Sequence, residues 1–316
     1  MTEQLELNIE MQKQKLLELF GKPLKFDFPL AEFSSFQTGG KAAYFIIVHT
    51  IEQAQKAVSV ASEHNISFII IGGGSNLLIS DSGYDGLVIK INILGLELVD
   101  ETTIKCGAGE ELMALVSFAK DNSLKGIEFA AGIWGSVGGA VYGNAGAYGG
   151  EIKDVLNTIV LIDRKGQLKT VEPEYCKFGY RDSYLKESQE IVLSITLKLQ
   201  VGNKIELQAQ IDKTLAVRAS KHPISQFCAG SFFKNIPDKN EKYGKLPAGR
   251  LLEEVGAKKI SVGGAKVYEK HANIIINDGS ATSKDIRDLA DILKQKVFDK
   301  FGIILEDEVI SIGTFK

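Results

Sequence analysis

The feature that most restricts this chain is the run Gly132-Ile-Trp-Gly-Ser-Val-Gly-Gly-Ala-Val-Tyr-Gly-Asn-Ala-Gly-Ala-Tyr-Gly-Gly150. Glycine loses more backbone freedom on folding than any other residue, so this density is costly unless the backbone takes unusual angles or touches something closely. Low complexity is the plain alternative, but Ile133, Trp134, Val137, Val141 and Tyr148 interrupt the glycines and no simple repeat emerges. The run reads as paired backbone nests, successive N–H groups that wrap an anion such as a pyrophosphate. A second loop, Gly72-Gly73-Gly74-Ser75-Asn76, follows an apolar strand at Phe68 to Ile71. A P-loop or dinucleotide fingerprint needs a helix directly after such a loop, to aim its N-terminus at the phosphates. Here another apolar strand follows (Leu77, Leu78, Ile79), and no Gly-Lys-Ser/Thr is present. Both motifs are excluded, and two separated glycine loops suit the two halves of one dinucleotide.

The 316 residues exceed what one hydrophobic core usually spans. A helical extension is expected over residues 1–22, with Leu5, Ile9, Leu16, Leu19 and Phe20 as its apolar side. Three sections follow, 23–93, 94–217 and 218–316. The first holds strands at Ala43 to His49, Phe68 to Ile71 and Leu87 to Ile91, and a helix with Ile51, Ala54, Val58 and Ala61 at helical spacing. The second holds a strand at Thr103 to Cys106 and a helix with Leu112, Leu115, Val116 and Ala119 inward. Two further strands flank the turn at Asp163 to Gly166, and a half-buried antiparallel strand alternates from Leu193 to Val201. A helix from Ile205 to Ser220 leads to the third section, which closes with a helix from Lys284 to Phe301, N-capped by Thr282 or Ser283. The final strand is expected from Ile303 to Ile312. Mixed helices and antiparallel strands make the class α+β.

The net charge of -3 argues against a nucleic-acid binder held by a general basic field. No apolar run approaches the ~20 residues that cross a bilayer, and the first twenty residues lack a signal peptide's apolar core. The three cysteines, Cys106, Cys176 and Cys228, are far apart and show no metal-ligand spacing. A reduced, cytoplasmic protein without membrane insertion or bound metal is expected.

The loops Ile71-Gly-Gly-Gly-Ser-Asn-Leu-Leu and Gly135-Ser-Val-Gly-Gly-Ala-Val-Tyr-Gly-Asn-Ala-Gly-Ala-Tyr-Gly-Gly resemble those of the UDP-N-acetylenolpyruvoylglucosamine reductase (MurB) family. Gly179-Tyr-Arg-Asp-Ser183, Gly230-Ser-Phe-Phe-Lys-Asn235, Ala248-Gly-Arg-Leu-Leu-Glu-Glu254, His271-Ala-Asn-Ile-Ile-Ile-Asn277 and Leu305-Glu-Asp-Glu-Val309 extend the likeness in order. It covers nearly everything after the first ~25 residues, too much for chance motif matching. The resemblance implies a vanillyl-alcohol oxidase-type (PCMH-like) two-part FAD-binding fold plus a smaller α+β substrate-binding domain. It also implies reduction of UDP-N-acetylglucosamine enolpyruvate to UDP-N-acetylmuramate, a peptidoglycan precursor, with NADPH as co-substrate. The chain is too short for the extra capping loop of one family type, which points to the second type. A monomer is also expected.

By the same resemblance the catalytic residues fall on Arg181, Ser231 and Glu308. Hydride addition at the vinyl carbon distal to the carboxylate drives negative charge onto its neighbour. Arg181 offers a fixed charged fork for that charge, and Ser231 a proton. FAD contacts fall on Gly72, Gly73, Gly74, Ser75 and Asn76, on Gly135, Ser136, Val137, Gly138 and Gly139, and on Asn144, Ala145, Gly146, Ala147 and Tyr148. No cysteine or histidine stands in either loop, so the FAD is expected to be non-covalent. Substrate-side positions fall on Lys221, Asn235, Arg250 and His271. Lys221-His222 is equally consistent with a helix C-terminal pair, His271 with a core histidine, and Arg250 with a salt bridge on its own helix. In the strand expected from Ile303, Glu306 and Glu308 share a face with Ile304, Ile310 and Ile312. Two carboxylates there are costly to bury charged, so at least one is expected to have a raised pKa. Glu306 reads as reaching solvent or a lysine, Glu308 as catalytic. Trp134 stands where the family usually has proline, and Ile236 separates the Lys-Asn pair from Pro237.

Overall fold

Thr50 opens the first crossover helix, Ile51–Glu63, by accepting the Gln53 N–H on its side chain. The helix buries Ala54, Ala57, Val58 and Ala61 against a four-stranded sheet. Strand order is Lys25–Pro29, Lys41–Val48, Tyr84–Ile91, Phe68–Ile71, antiparallel in the first pair and parallel in the others. This computed structural model describes residues 11, 13–223, 227–241 and 244–315. Leu5 and Ile9 lie outside the described residues. The expectation of a surface helix is corrected in part, since Leu16 and Phe20 of the extension are buried against the main core.

The second section is a five-stranded antiparallel sheet in the order Leu168–Val171, Leu156–Ile162, Ile191–Lys198, Thr103–Gly107, Leu96–Asp100. Its helix Leu112–Asp121 buries the four residues expected from their spacing. The strand expected to alternate from Leu193 to Val201 is corrected. Ile191–Lys198 is the central strand, with Ser194 buried among its neighbours, and Gln200–Val201 pairs separately with Leu124–Lys125. A central strand is covered on both faces, so alternation in its sequence does not produce alternation in burial. One continuous core joins the first two sections.

The third section packs the helix Ser283–Phe301 on a sheet ordered Phe227–Ser231, Ile274–Asn277, Ala265–Val267, Ser261–Val262. Thr282 caps the helix in a capping box with Asp285, and Asp81 from the first section accepts the Ser283 and Lys284 N–H groups. The boundary expected at 217/218 falls inside the helix Lys204–Lys221 and is moved beyond it. The final strand is also shorter than expected. Only Ile310–Ile312 is strand, parallel to Leu77–Ile79 of the first section, while Asp307 makes an isolated bridge to Phe233. Ahead of it, the side chains of Glu306, Asp307 and Glu308 turn to three different partners, Lys234, Arg287 and Arg181.

Candidate active site

The two glycine loops touch. Gly73 N–H donates to Ser136 Oγ (3.1 Å) and Ser75 Oγ to the Trp134 carbonyl (2.9 Å). A Cβ on Gly73 would lie 2.7 Å from Gly135 Cα, and one on Gly74, where φ is +70°, would overlap the Phe33 carbonyl at 1.9 Å. Glycine is required here for close approach and for the left-handed turn. Lys90 Nζ donates to the Gly72 carbonyl (2.5 Å), fixing the first loop from the adjoining strand; burial pulls the Lys90 pKa down. Ser136 N-caps the short helix Val137–Tyr142 in the second loop.

Both loops line a cleft of about 1150 Å³ bounded by all three sections. Gly74, Ser75, Asn76, Gly135 and Ser136 lie on its wall. Their N–H groups donate to no protein acceptor among the described residues. An array of free backbone donors suits an anion. Gly138, Gly139, Ala145, Gly146, Ala147 and Tyr148 line it as well. Val137 and Asn144 do not. Val137 is buried in the core with its N–H on the Glu110 carbonyl. Asn144 is fully buried and donates to Glu151 Oε2 and the Gly179 carbonyl, so it supports the neighbouring loop.

Arg181, Ser231 and Glu308 reach the same cleft from separate elements. Arg181 has φ +51°, held by Lys186 Nζ on its carbonyl (2.5 Å). Its Nη2 donates to the Gly146 carbonyl (2.6 Å) and its Nε lies 2.9 Å from Glu308 Oε1. The Glu308 backbone is held at both ends, N–H to the Phe232 carbonyl (2.8 Å) and carbonyl from Asn76 Nδ2 (2.9 Å). Burial raises the Glu308 carboxyl above its ordinary value, opposed first by the Arg181 charge. Ser231 ends its strand in the cleft wall, and its hydroxyl has no protein partner among the described residues. Glu306 pairs with Lys234 (2.5 Å) at the surface, the lysine partner expected for it.

Lys221 and Asn235 line the cleft; Arg250 and His271 do not. Arg250 makes a two-point pair with Glu241, Nη1–Oε1 2.5 Å and Nη2–Oε2 3.1 Å, so its salt bridge runs to the loop ahead of its helix Ala248–Glu254 and not along the helix as expected. His271 packs against His222 with the rings tilted by 32° and their centroids 5.6 Å apart, and His222 lines the cleft. Burial, then the charges of Arg218, His271 and Lys221, lowers the His222 pKa to about 4.

Sequence reading missed Arg218, Lys186, Lys90 and Tyr180. Arg218 lines the cleft, half-buried beside the Tyr148 phenol, and burial lowers its pKa. Together with Arg181, Lys186 and Lys221 it makes the cleft cationic in a chain of net charge -3. The spacing of Arg218 and Lys221, one helical turn apart ahead of the serine motif, was the available signal.

Comparison with known proteins shows what the chain is similar to. Residues 42–172 match the FAD binding domain model, and residues 222–312 match that of the UDP-N-acetylenolpyruvoylglucosamine reductase C-terminal domain. The chain is 38% identical over 301 residues to the UDP-N-acetylenolpyruvoylglucosamine reductase of Clostridioides difficile (strain 630), covering 94% of this chain and 96% of that one. It is 39% identical over 293 residues to the protein of that name from Listeria monocytogenes serotype 4a (strain HCC23), covering 93% and 96%. The crystal structure of UDP-N-acetylenolpyruvylglucosamine reductase from Thermus caldophilus superposes with a TM-score of 0.77 at 31% identity, covering 92% of this chain and 98% of that one.

Proposed function

This chain belongs to the UDP-N-acetylenolpyruvoylglucosamine reductase family, an FAD-dependent oxidoreductase family, and we propose that its cleft reduces UDP-N-acetylglucosamine enolpyruvate with NADPH. The α+β class and the two-part FAD-binding fold expected from the sequence hold. The free N–H groups of Gly74 to Asn76, Gly135 and Ser136 suit the FAD pyrophosphate. When bound, FAD supplies hydride chemistry at the vinyl carbon distal to the substrate carboxylate, with NADPH as the source.

The chain's own residues do the rest. Arg181 is immobilised by Gly146, Glu308 and its left-handed backbone, so its charge is in place before negative charge develops on the substrate. A preorganised donor needs no reorganisation during the reaction. Ser231, with an uncommitted hydroxyl, delivers the proton to the enolate carbon. Glu308 sets Arg181 through their 2.9 Å contact, and burial raises its carboxyl above the ordinary value where it lines the cleft. Arg218 and Lys221 are the cations best placed for the substrate or nicotinamide phosphates, in place of Arg250. The observation that carries this reading is the 2.9 Å Arg181–Glu308 contact, built across two sections against a flavin loop.

The test is anaerobic stopped flow on the two half-reactions. NADPH should bleach the flavin of wild type and Ser231→Ala alike. Recolouring by the enolpyruvyl substrate should slow about a hundred- to ten-thousandfold in Ser231→Ala, the range of general acid catalysis. Recolouring at the wild-type rate would remove Ser231 as proton donor.

A further inference from the structure

The ladder between Phe227–Ser231 and Ile274–Asn277 shifts register between Cys228 and Ser231, where the catalytic serine sits. A ladder broken at that point leaves the following peptide units in need of other partners. Asn273, just before the second strand, provides them. Its carbonyl accepts the Phe232 N–H (2.7 Å), its Oδ1 accepts the Phe233 N–H (3.0 Å), and its Nδ2 donates to the Phe233 carbonyl (2.8 Å). One side-chain amide therefore binds both polar groups of Phe233, as a neighbouring strand would. Asn273, Phe232 and Phe233 are all buried.

The far side of the same two residues carries the other catalytic segment. The Phe232 carbonyl accepts the Glu308 N–H (2.8 Å), Phe233 bridges to Asp307, and Lys234 N–H donates to the Glu306 carbonyl (2.8 Å). Ser231 and Glu308 are thus set by one pair of residues, and the orientation of that pair is set by one amide.

We propose that Asn273 is a positioning residue that holds Ser231 and Glu308 in register with each other. This rests on the reading of Ser231 and Glu308 as catalytic. Asn273 touches neither reacting group and acts only through the Phe232–Phe233 backbone. A displacement of about 1 Å in catalytic geometry can cost about a hundredfold in rate.

Asn277 supplies a matched control. It is buried at the end of the same strand, donates to the Phe36 carbonyl (2.8 Å) and accepts the Gly279 and Ala281 N–H groups. Asn273→Leu and Asn277→Leu each remove a buried amide of the same kind, and both should lower Tm. In the FAD-loaded proteins, Asn273→Leu should slow flavin reoxidation by the enolpyruvyl substrate on the order of 10- to 100-fold. Flavin reduction by NADPH should stay within about threefold of wild type, and Asn277→Leu should leave both steps within that margin. Amide hydrogen exchange at Phe233 and Glu308 is the readout independent of turnover. It should accelerate in Asn273→Leu and not in Asn277→Leu. If Asn273→Leu does not fold, Asn273→Asp, which keeps the acceptor and loses the donor, should show the same partition. Equal losses in the two variants, or unchanged exchange at Glu308, overturn the proposal. Failure of the wild-type holoprotein to recolour with substrate, with the exchange pattern intact, would overturn the reaction and leave the clamp standing.

Discussion

Glu306 and Glu308 are chemically identical and two residues apart, yet their surroundings give them different work. Glu306 meets Lys234 at the surface, where an ion pair contributes about 0–1 kcal/mol. Glu308 sits in the cleft with its backbone clamped and its carboxyl pKa raised by burial. Glu308→Gln keeps the shape and removes the acid, and substrate reduction should fall about a hundredfold or more, the scale of acid–base and preorganised-charge effects. Glu306→Gln should stay within about threefold. Equal rates in single-turnover reoxidation would dissolve the distinction. His222 gives a residue-scale prediction for pH. Its folded pKa of about 4 lies below the ordinary histidine value of 6.5, so between them the unfolded chain binds the extra proton. Stability from this group is therefore full above about pH 6.5 and lost as pH falls toward 4. The whole displacement corresponds to about 3 kcal/mol, and the half-buried ring among Arg218, Lys221 and His271 reduces that to about 1–2 kcal/mol by screening. Urea denaturation from pH 4 to 7 should show His222→Gln losing less stability on acidification than wild type. Parallel curves would show that His222 titrates normally.

Among the elements, the two glycine loops were legible because glycine at that density has few explanations, and the structure puts the loops in contact. Gly73→Ala tests that contact. The new methyl would lie 2.7 Å from both Gly135 Cα and Ser136 N, backbone atoms that cannot swing aside. Overpacking of this kind costs about 1–3 kcal/mol, so FAD affinity should fall about 10- to 100-fold. Trp134, the single tryptophan, lines the cleft and is 48% exposed, so its emission reports the titration. FAD should quench it saturably in wild type and only at higher concentration in Gly73→Ala. Unchanged titration midpoints would show that the loops move apart freely. What the sequence hid follows from the same physics. Arg218, Lys186 and Lys90 are single cations whose commonest setting is a solvated surface, and only the tertiary fold turns them inward. The segment from Ile303 alternates as a strand does, but its alternation reflects Leu305 and Val309 packing inward while each carboxylate goes to its own partner. Period alone does not separate that from a ladder. Asn273 stands inside the motif His271 to Asn277, yet its amide acquires meaning only beside the register shift at Ser231.

On the scale of the whole molecule, the cleft exists because the chain's last strand returns to its first section. Ile310–Ile312 pairs with Leu77–Ile79, directly after the loop that ends at Asn76, and Asn76 in turn holds the Glu308 carbonyl. Asp81 caps the closing helix, and Phe36 and Leu78 of the first section enter the third section's core. The third section therefore shares backbone bonds and core with the element that carries the first glycine loop. A ligand that binds only the folded state stabilises by mass action, about 2.7 kcal/mol at a hundredfold excess over Kd. If that energy is confined to the first two sections, calorimetry of the apoprotein titrated with FAD should show a second transition that does not move. If the shared strand pair and core couple the sections, as this architecture requires, one transition should rise with FAD concentration and carry the third section with it. Breaking the coupling at one point should separate the two. Asp81→Ala removes the acceptor for two N–H groups at the start of Ser283–Phe301, worth about 0.5–2 kcal/mol as a helix cap. In that variant a lower transition, insensitive to FAD, should emerge ahead of the main one. A single transition that still tracks FAD would place the coupling in the Phe36–Leu78 core contact instead.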